Sequence, residues 1–392
     1  MVAKIEPEVR AFRRDLHRYP ELGYKEFRTA EKISAELSSL AGWEVKTGLA
    51  ETGVIATLGG EKPGPVVALR ADIDALPIHE ISGVAYASEN PGVMHACGHD
   101  GHTAMLLGVA NVLSGIRASL EAPIRLIFQP AEEGGAGGKR MVDEGALEAP
   151  LVDAVFGLHN MPMASTQVGQ ICLCPGAAMA ATTSFDITVR GKGGHAAMPH
   201  VTIDPIVIGS QIVASLQTIV SRQVDPIASA VVSFTQFHAG TAYNVIPETA
   251  HITGTIRTLD DSVMASVCAL LEGEASRLAA TFGAEAEVRI QGGYPVVRNH
   301  PKTDALFRTV LSEVGRSGDY VEVPPMMGGE DFAFYQKQAP GTFWFLASRP
   351  VDQAEVPFCH HPAYDFNDDI LSDGIALHVE VARRFAHLWG QA

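Results

Sequence analysis

His95-Ala-Cys-Gly-His-Asp-Gly-His102 leads directly into an apolar segment, residues 103–113, and lies between two β-branched runs, Val66-Val-Ala-Leu69 and Ile124-Arg-Leu-Ile-Phe128. Short runs of that type, each ending in polar or glycine-rich residues, read as strands feeding loops. An apolar helix between them makes a strand–helix–strand unit. Strands that alternate with helices build an α/β core around a partly parallel sheet, and chemistry in such sheets gathers at strand ends. Working outward, Val54-Ile-Ala-Thr-Leu58 predicts another strand. Before it, Val9, Phe12, Leu16, Ala30, Ile33 and Leu37 recur at helical spacing, and Pro20 and Gly23 break the stretch into two helices.

The pattern changes near residue 182. Residues 183–190 alternate as a half-buried strand, 205–222 read as a helix, 230–237 and 250–258 as strands, 262–282 as a helix and 285–291 as a strand. That β-α-β-β-α-β order is a split-βαβ sandwich. After it come a helix at 302–314, a Gly-Gly-Glu-Asp loop and the run Gly341-Thr-Phe-Trp-Phe-Leu346. The expectation is an α/β domain from residues 1–181 and 295–392, with an α+β domain, 182–294, inserted into it.

A length of 392 residues agrees with two domains. With 46% hydrophobic and 19% charged residues, the chain has ample material for a core. A net charge of −16 repels phosphates and anionic membranes, so nucleic acid and membrane are excluded as partners. An anionic small substrate is not excluded, because an arginine or a metal can invert the field inside a pocket. No apolar run reaches the roughly 18 residues a membrane helix needs, and the first residues carry no apolar signal segment. The five cysteines, at 97, 172, 174, 268 and 359, are odd in number and scattered, which is no disulfide framework. The expected location is the cytoplasm, where a cysteine flanked by histidines is a ligand or a nucleophile.

Four segments carry candidate chemistry. Cys97 and His99 offer a thiolate and an imidazole from one tight loop, a good start for a zinc-like ion. Gln129-Pro-Ala-Glu-Glu-Gly-Gly135 puts two carboxylates side by side after a strand. Like charges separate their pKa values, so one as metal ligand and one as general base is the economical reading. Gly157-Leu-His-Asn-Met-Pro162 supplies His159, and Cys359-His-His-Pro362 supplies two more imidazoles. A Cys–His nucleophilic hydrolase is the competing chemistry, but it leaves the glutamate pair and the distant histidines without a role. His95 and His102 read as structural residues or as supports for the ligands.

Further stretches extend the pattern over most of the chain: Arg14-Asp-Leu-His-Arg-Tyr-Pro-Glu21, Leu69-Arg-Ala-Asp-Ile-Asp-Ala-Leu-Pro77, Gly191-Lys-Gly-Gly-His-Ala-Ala-Met-Pro-His200, Tyr243-Asn-Val-Ile-Pro-Glu248, Gly328-Gly-Glu-Asp-Phe332 and His360-His-Pro-Ala-Tyr-Asp-Phe-Asn367. With the Cys-Gly-His-Asp-Gly-His and Gln-Pro-Ala-Glu-Glu blocks, the chain resembles the M20 family of metallopeptidases, in its aminoacylase, hippurate hydrolase and indole-acetyl-amino-acid hydrolase branch. The resemblance implies a bimetallic centre with Cys97, His99, Glu133, His159 and His360 as ligands and Cys97 as the bridge. His360 is chosen over His361 because the family's ligand lies two residues before the proline. Glu132 would be the general acid/base that activates water, and Asp74 the carboxylate that orients a ligand histidine. The inserted domain would dimerise and send His195 to the partner's active site to polarise the scissile carbonyl. Asn244 and Arg257 would hold the substrate carboxylate, to which an arginine fork pairs bidentately. On the residues alone, His195 is a glycine-rich hairpin residue and Arg257 an exposed strand residue.

The implied reaction is hydrolysis of N-acyl-L-amino acids, hippurate-like or N-acetyl, by a homodimer or homotetramer with two divalent ions per subunit, zinc, manganese, cobalt or nickel. Met179, Met326, Met327 and Phe332 are candidates for the acyl pocket. The alternatives are a dipeptidase of the same superfamily and a non-catalytic metal- or ligand-binding protein on the same fold. The Cys-Gly-His-Asp block weighs against the first and the intact Glu132 against the second.

Overall fold

The β-branched runs of the first half form strands because their side chains can fill both faces of a pleated sheet covered by apolar helices. The computed structural model describes residues 1–163, 166–350 and 356–391. The chain folds into two compact units, one of Met1–Gly176, Arg298–Pro324 and Asp331–Ala392, the other of Ala177–Val297 and Pro325–Glu330.

The first unit is built on an eight-stranded mixed sheet, in the order Trp43–Leu49, Gly53–Leu58, Ile124–Gln129, Val67–Asp72, Ala154–Met161, Gly341–Ala347, Ile171–Leu173 and Tyr320–Glu322. The strands from Gly53–Leu58 to Gly341–Ala347 in that order are buried along their whole length. The helix His99–Ile116 is buried almost all round, which explains its uniformly apolar composition. It packs against the helices Val2–Arg18 and Leu371–Trp389. The core includes Leu69, Leu106, Leu113, Phe128, Phe156 and Trp344, each contributing about 1.5–3 kcal/mol by leaving water. Trp344 stacks on Phe307 with ring centroids 4.3 Å apart.

Val67–Asp72 pairs in parallel with both Ile124–Gln129 and Ala154–Met161. Parallel neighbours end on the same edge of a sheet. The loops that follow Asp72 and Gln129 therefore emerge beside the end of the strand that carries His159, at the edge where α/β sheets hold ligands. The sequence pattern starts the next helix at residue 103, but it starts at His99. Gly98 stands before it in the left-handed region, at φ 91. A Cβ at that position would also lie 2.3 Å from Asn160 Oδ1, so glycine is required on both counts.

The second unit has a four-stranded antiparallel sheet, ordered Ala230–Ala239, Thr249–Thr258, Ala181–Arg190, Glu285–Ile290. Two helices, Pro205–Thr218 and Asp261–Thr281, pack on it, completing the split-βαβ pattern. Each starts on a capping aspartate: Asp204 accepts from Ile206 N at 2.9 Å and Asp260 from Ser262 N at 2.8 Å. The helix expected at 205–222 keeps α geometry to Thr218 and ends in a π turn, Ile219–Gln223. Phe185, Ile187, Ile212, Leu216, Ile252 and Leu271 lie in the core of this unit. An α/β unit together with a split-βαβ α+β unit is the fold class the sequence predicts. No helix among the described residues is long and apolar enough to cross a membrane.

Candidate metal centre

Cys97, His99 and His159 each bring one donor atom to within 4.8 Å of the others, and Cys97, Glu133 and His360 do the same. Cys97 belongs to both groups. His159 Nε2 lies 3.4 Å from Cys97 Sγ, and His360 Nε2 lies 3.1 Å from Glu133 Oε1. His99 Nε2 is 4.0 Å from the same glutamate oxygen. Glu132 joins a further group with His99 and Glu133.

The supporting bonds decide which ring nitrogen faces the centre. His99 Nδ1 lies 2.9 Å from the Asp74 carbonyl oxygen and 3.3 Å from its Oδ1. The proton therefore sits on Nδ1, and Nε2 is left as the electron-pair donor. That Nε2 is buried and makes no hydrogen bond among the described residues. His159 is set the same way, its Nδ1 donating to Asn160 O at 2.6 Å. Asp74 Oδ2 accepts from Glu133 N at 3.0 Å, so one residue orients both His99, through its carbonyl, and the glutamate loop, through its carboxylate. A thiol, three imidazoles and a carboxylate, with an unpaired buried nitrogen among them, fit a divalent transition metal.

The other two imidazoles of the 95–102 stretch differ. His102 has both nitrogens engaged, Nδ1 at 2.6 Å from Asp72 Oδ1 and Nε2 at 2.7 Å from Asn160 Oδ1. His95 is in none of the donor groups found among the described residues, and burial pushes its imidazole down to about 4. Likewise His361 points its Nδ1 back to accept from Ala363 N at 3.1 Å.

Burial pushes the His159 imidazole well below its ordinary range, and His102 adds to the shift. The Cys97 thiol is pushed well up, first by its hydrogen bond with Cys359 and then by burial and Glu133. Burial would lower His99 too, but Asp72, Asp74 and Glu133 raise it well above the imidazole range. A nucleophilic cysteine needs a thiolate beside a protonated imidazole. Cys97 and His159 are shifted in the opposite senses, so their contact does not build that dyad. A cation at the site reverses the shifts on the thiol and on His99, which leaves Nε2 unprotonated to donate.

Behind the donors lies a buried ionic framework that sequence reasoning missed. Arg13 donates to Asp100 at 2.8 Å and to Asp365 at 2.9 Å, and His17 lies 2.9 Å from the same Asp100 oxygen. Burial would raise the Asp100 carboxyl, yet Arg13 and His17 hold it far below the carboxylate range. Arg70 donates to Asp72 at 2.7 Å, to Gln129 Oε1 at 2.8 Å and to Asp331 at 3.0 Å. Apart from Asp72, two residues from Arg70, these partners come from distant parts of the chain, and no local spacing announces them.

The second unit holds the remaining candidates. His195 is exposed, on the short strand Gly194–His195 paired with Val245–Ile246. Its Nδ1 accepts from Ala197 N at 3.1 Å, which leaves the proton on Nε2. Ala196 N donates to Asn244 O at 3.0 Å, so His195 and Asn244 share one hairpin. Arg257 is half-buried on Thr249–Thr258 and donates Nη1 to Met327 O at 2.8 Å.

The model of the peptidase family M20/M25/M40 matches residues 68–384. The chain belongs to this family. The N-acyl-L-amino acid amidohydrolase of Geobacillus stearothermophilus is 46% identical to it over 78% of this chain and 81% of the relative. The N-acetyl-L-cysteine deacetylase of Bacillus subtilis is 40% identical over 98% of this chain and 89% of the relative. Among solved structures, the YXEP protein of Bacillus subtilis, a dinuclear metal-binding peptidase from the M20 family, is 36% identical with a TM-score of 0.84, covering 98% of this chain and 99% of that one. In this M20/M25/M40 chain, Cys97, His99, Glu132, Glu133, His159 and His360 all fall inside the matched stretch.

Proposed function

We propose that this chain hydrolyses the amide bond of N-acyl-L-amino acids, hippurate-like or N-acetyl, with two divalent ions per subunit. The observation that carries the reading is Cys97 standing in both donor groups, with His99 and His159 in one and with Glu133 and His360 in the other. A thiolate common to two ligand sets suits a bridge. Zinc, manganese, cobalt and nickel all suit this mixture of sulfur, nitrogen and oxygen donors. When bound, such ions lower the pKa of water and polarise a carbonyl oxygen. Glu132 takes the proton from the attacking water and returns it to the departing amine. Asp74 keeps His99 and the glutamate loop in register. His195, carried over by a second copy, donates its Nε2 proton to the developing oxyanion. Asn244 and the rest of the Arg257 fork hold the free carboxylate.

The names of the amidohydrolase and deacetylase relatives support the substrate class, and that of the YXEP protein supports the ion count. Exposed Met198, Val201, Ile206, Val207, Phe237 and Val245 support the use of residues 182–294 as a dimerisation domain, in a homodimer or homotetramer. The free thiols of all five cysteines support the cytoplasm.

Glu132→Ala should lose roughly 10²–10⁴-fold in turnover while bound metal, measured by elemental analysis, stays at the wild-type level. Full turnover in that variant would sink the base assignment. A panel of hippurate, N-acetyl and indole-acetyl amino acids and dipeptides, run with each of the four metals, tests the class. Preference for a dipeptide over its N-acyl analogue would mean a dipeptidase, and no turnover at all a binding protein.

A further inference from the structure

The loop that carries Glu132 and Glu133 has an unfavourable backbone. Ala131 and Ala136 lie in the left-handed region at φ 50 and 53, on either side of Gly134 at φ 85. A residue with a Cβ does not hold that conformation unaided. The turn at residues 21–26 grips the loop at two points. Glu26 Oε1 accepts from Ala131 N at 2.9 Å, and Tyr24 Oη donates to Gly135 O at 2.7 Å. Glu26 is itself fixed, its Oε2 accepting from the buried Thr52 Oγ1 at 2.6 Å. The turn is also fastened to the Asp74 segment, because Ala75 N donates to Glu21 O at 2.9 Å. The backbone on either side of Glu132 is thus pinned, Ala131 N by Glu26 and Glu133 N by Asp74.

We propose that Glu26, assisted by Tyr24, is a positioning residue for the reaction: it holds Ala131 in the left-handed conformation and so aims the Glu132 carboxylate. Glu26 is fully buried and belongs to none of the donor groups among the described residues, so it holds no ion itself and reaches Glu132 through the backbone. Burial pushes its carboxyl up to about 7. The neutral form keeps both bonds, with the carbonyl oxygen accepting from Ala131 N and the hydroxyl turning to donate to Thr52. A glutamine makes the same two bonds. An alanine leaves the Ala131 N–H without its acceptor and the strained residue free to relax. The inference rests on Glu132 as the proton carrier.

The test compares three full-length proteins loaded with manganese. In Glu26→Ala, kcat falls roughly 10–100-fold, the scale of a 1 Å misplacement, while KM and bound metal stay near wild type. In Glu26→Gln, kcat returns to within about threefold of wild type, since both bonds are kept. In the metal-free proteins, amide hydrogen exchange of the 128–136 peptide speeds up in the alanine variant and not in the glutamine one. Wild-type kcat in the alanine variant overturns the inference. So does a glutamine variant as slow as alanine, or a loss of metal in place of kcat. If the alanine variant does not fold, Glu26→Asp replaces it: the shorter side chain cannot reach both partners, and an unchanged kcat there overturns the inference. Glu132→Ala, measured alongside, separates the two readings. Full turnover in that variant removes the base assignment, whereas the exchange of the 128–136 peptide still reports whether Glu26 holds the loop.

Discussion

Glu26→Gln should flatten the fall in stability that the wild-type chain suffers as the pH rises. The folded carboxyl is pushed from its ordinary 4.5 up to about 7, chiefly by burial. Below pH 4.5 both the folded and the unfolded chain hold this proton, and the contribution to stability is fully present. Between 4.5 and 7 the unfolded chain has released the proton and the folded chain has kept it. Stability therefore declines with rising pH and is lost once the pH passes 7. A shift of about 2.5 pH units at about 1.36 kcal/mol each makes about 3 kcal/mol in all, of which about 2 kcal/mol falls between pH 5.5 and 8. Glu26 has no exposed surface, so solvent screening does not reduce this. A glutamine binds no proton and lacks this dependence. The assay is urea unfolding of the metal-free wild type and variant at the two pH values, in which titrations not coupled to Glu26 cancel in the double difference. Parallel pH profiles for the two proteins would refute a buried, neutral Glu26 carboxyl.

Arg13→Met strips the buried guanidinium from Asp100 and Asp365 and should destabilise the fold by about 3–5 kcal/mol, read from the thermal midpoint; a change under about 1 kcal/mol would mean the framework carries no load. Gly101→Ala places a Cβ 2.3 Å from the Phe366 ring and should cost about 1–3 kcal/mol, whereas Gly292→Ala, which meets nothing within 4 Å, should stay within about 0.5 kcal/mol of wild type. Equal effects in the two glycine variants would contradict the packing. Chelation should lower the thermal midpoint, and restoring an ion at a hundred times its Kd should return about 2.7 kcal/mol; an unmoved midpoint would mean that the donor groups hold no ion.

The alternating strand and helix runs made the α/β core legible, because a strand buried on both faces must be mostly apolar, as 54–58 and 124–128 are apart from Thr57 and Arg125, which bond each other. The split-βαβ unit was legible for the opposite reason: a sheet with one covered face alternates, as Ala181–Arg190 does. Less visible were Trp43–Leu49, a partly exposed edge strand, and Ile171–Leu173, too short to show a period. The start of the central helix was misplaced because His99-Asp-Gly-His102 carries polar side chains that are helical yet turned to the site and its ionic framework.

Residue types and their order by themselves determined which side chains can bind a metal and that they follow strands, since thiolate, imidazole and carboxylate chemistry is local to the residue. Only the tertiary structure decided that Cys97 stands in two donor groups at once, because that depends on parallel strands ending on one edge of the sheet. It alone also chose the donor nitrogens, through Asp74 and the Asn160 carbonyl, and set Glu26 under Ala131. Apart from that of His159 with its neighbour Asn160, each of those contacts joins segments whose spacing along the chain carries no period, so close packing and the need to pair buried polar groups, not local pattern, selected them.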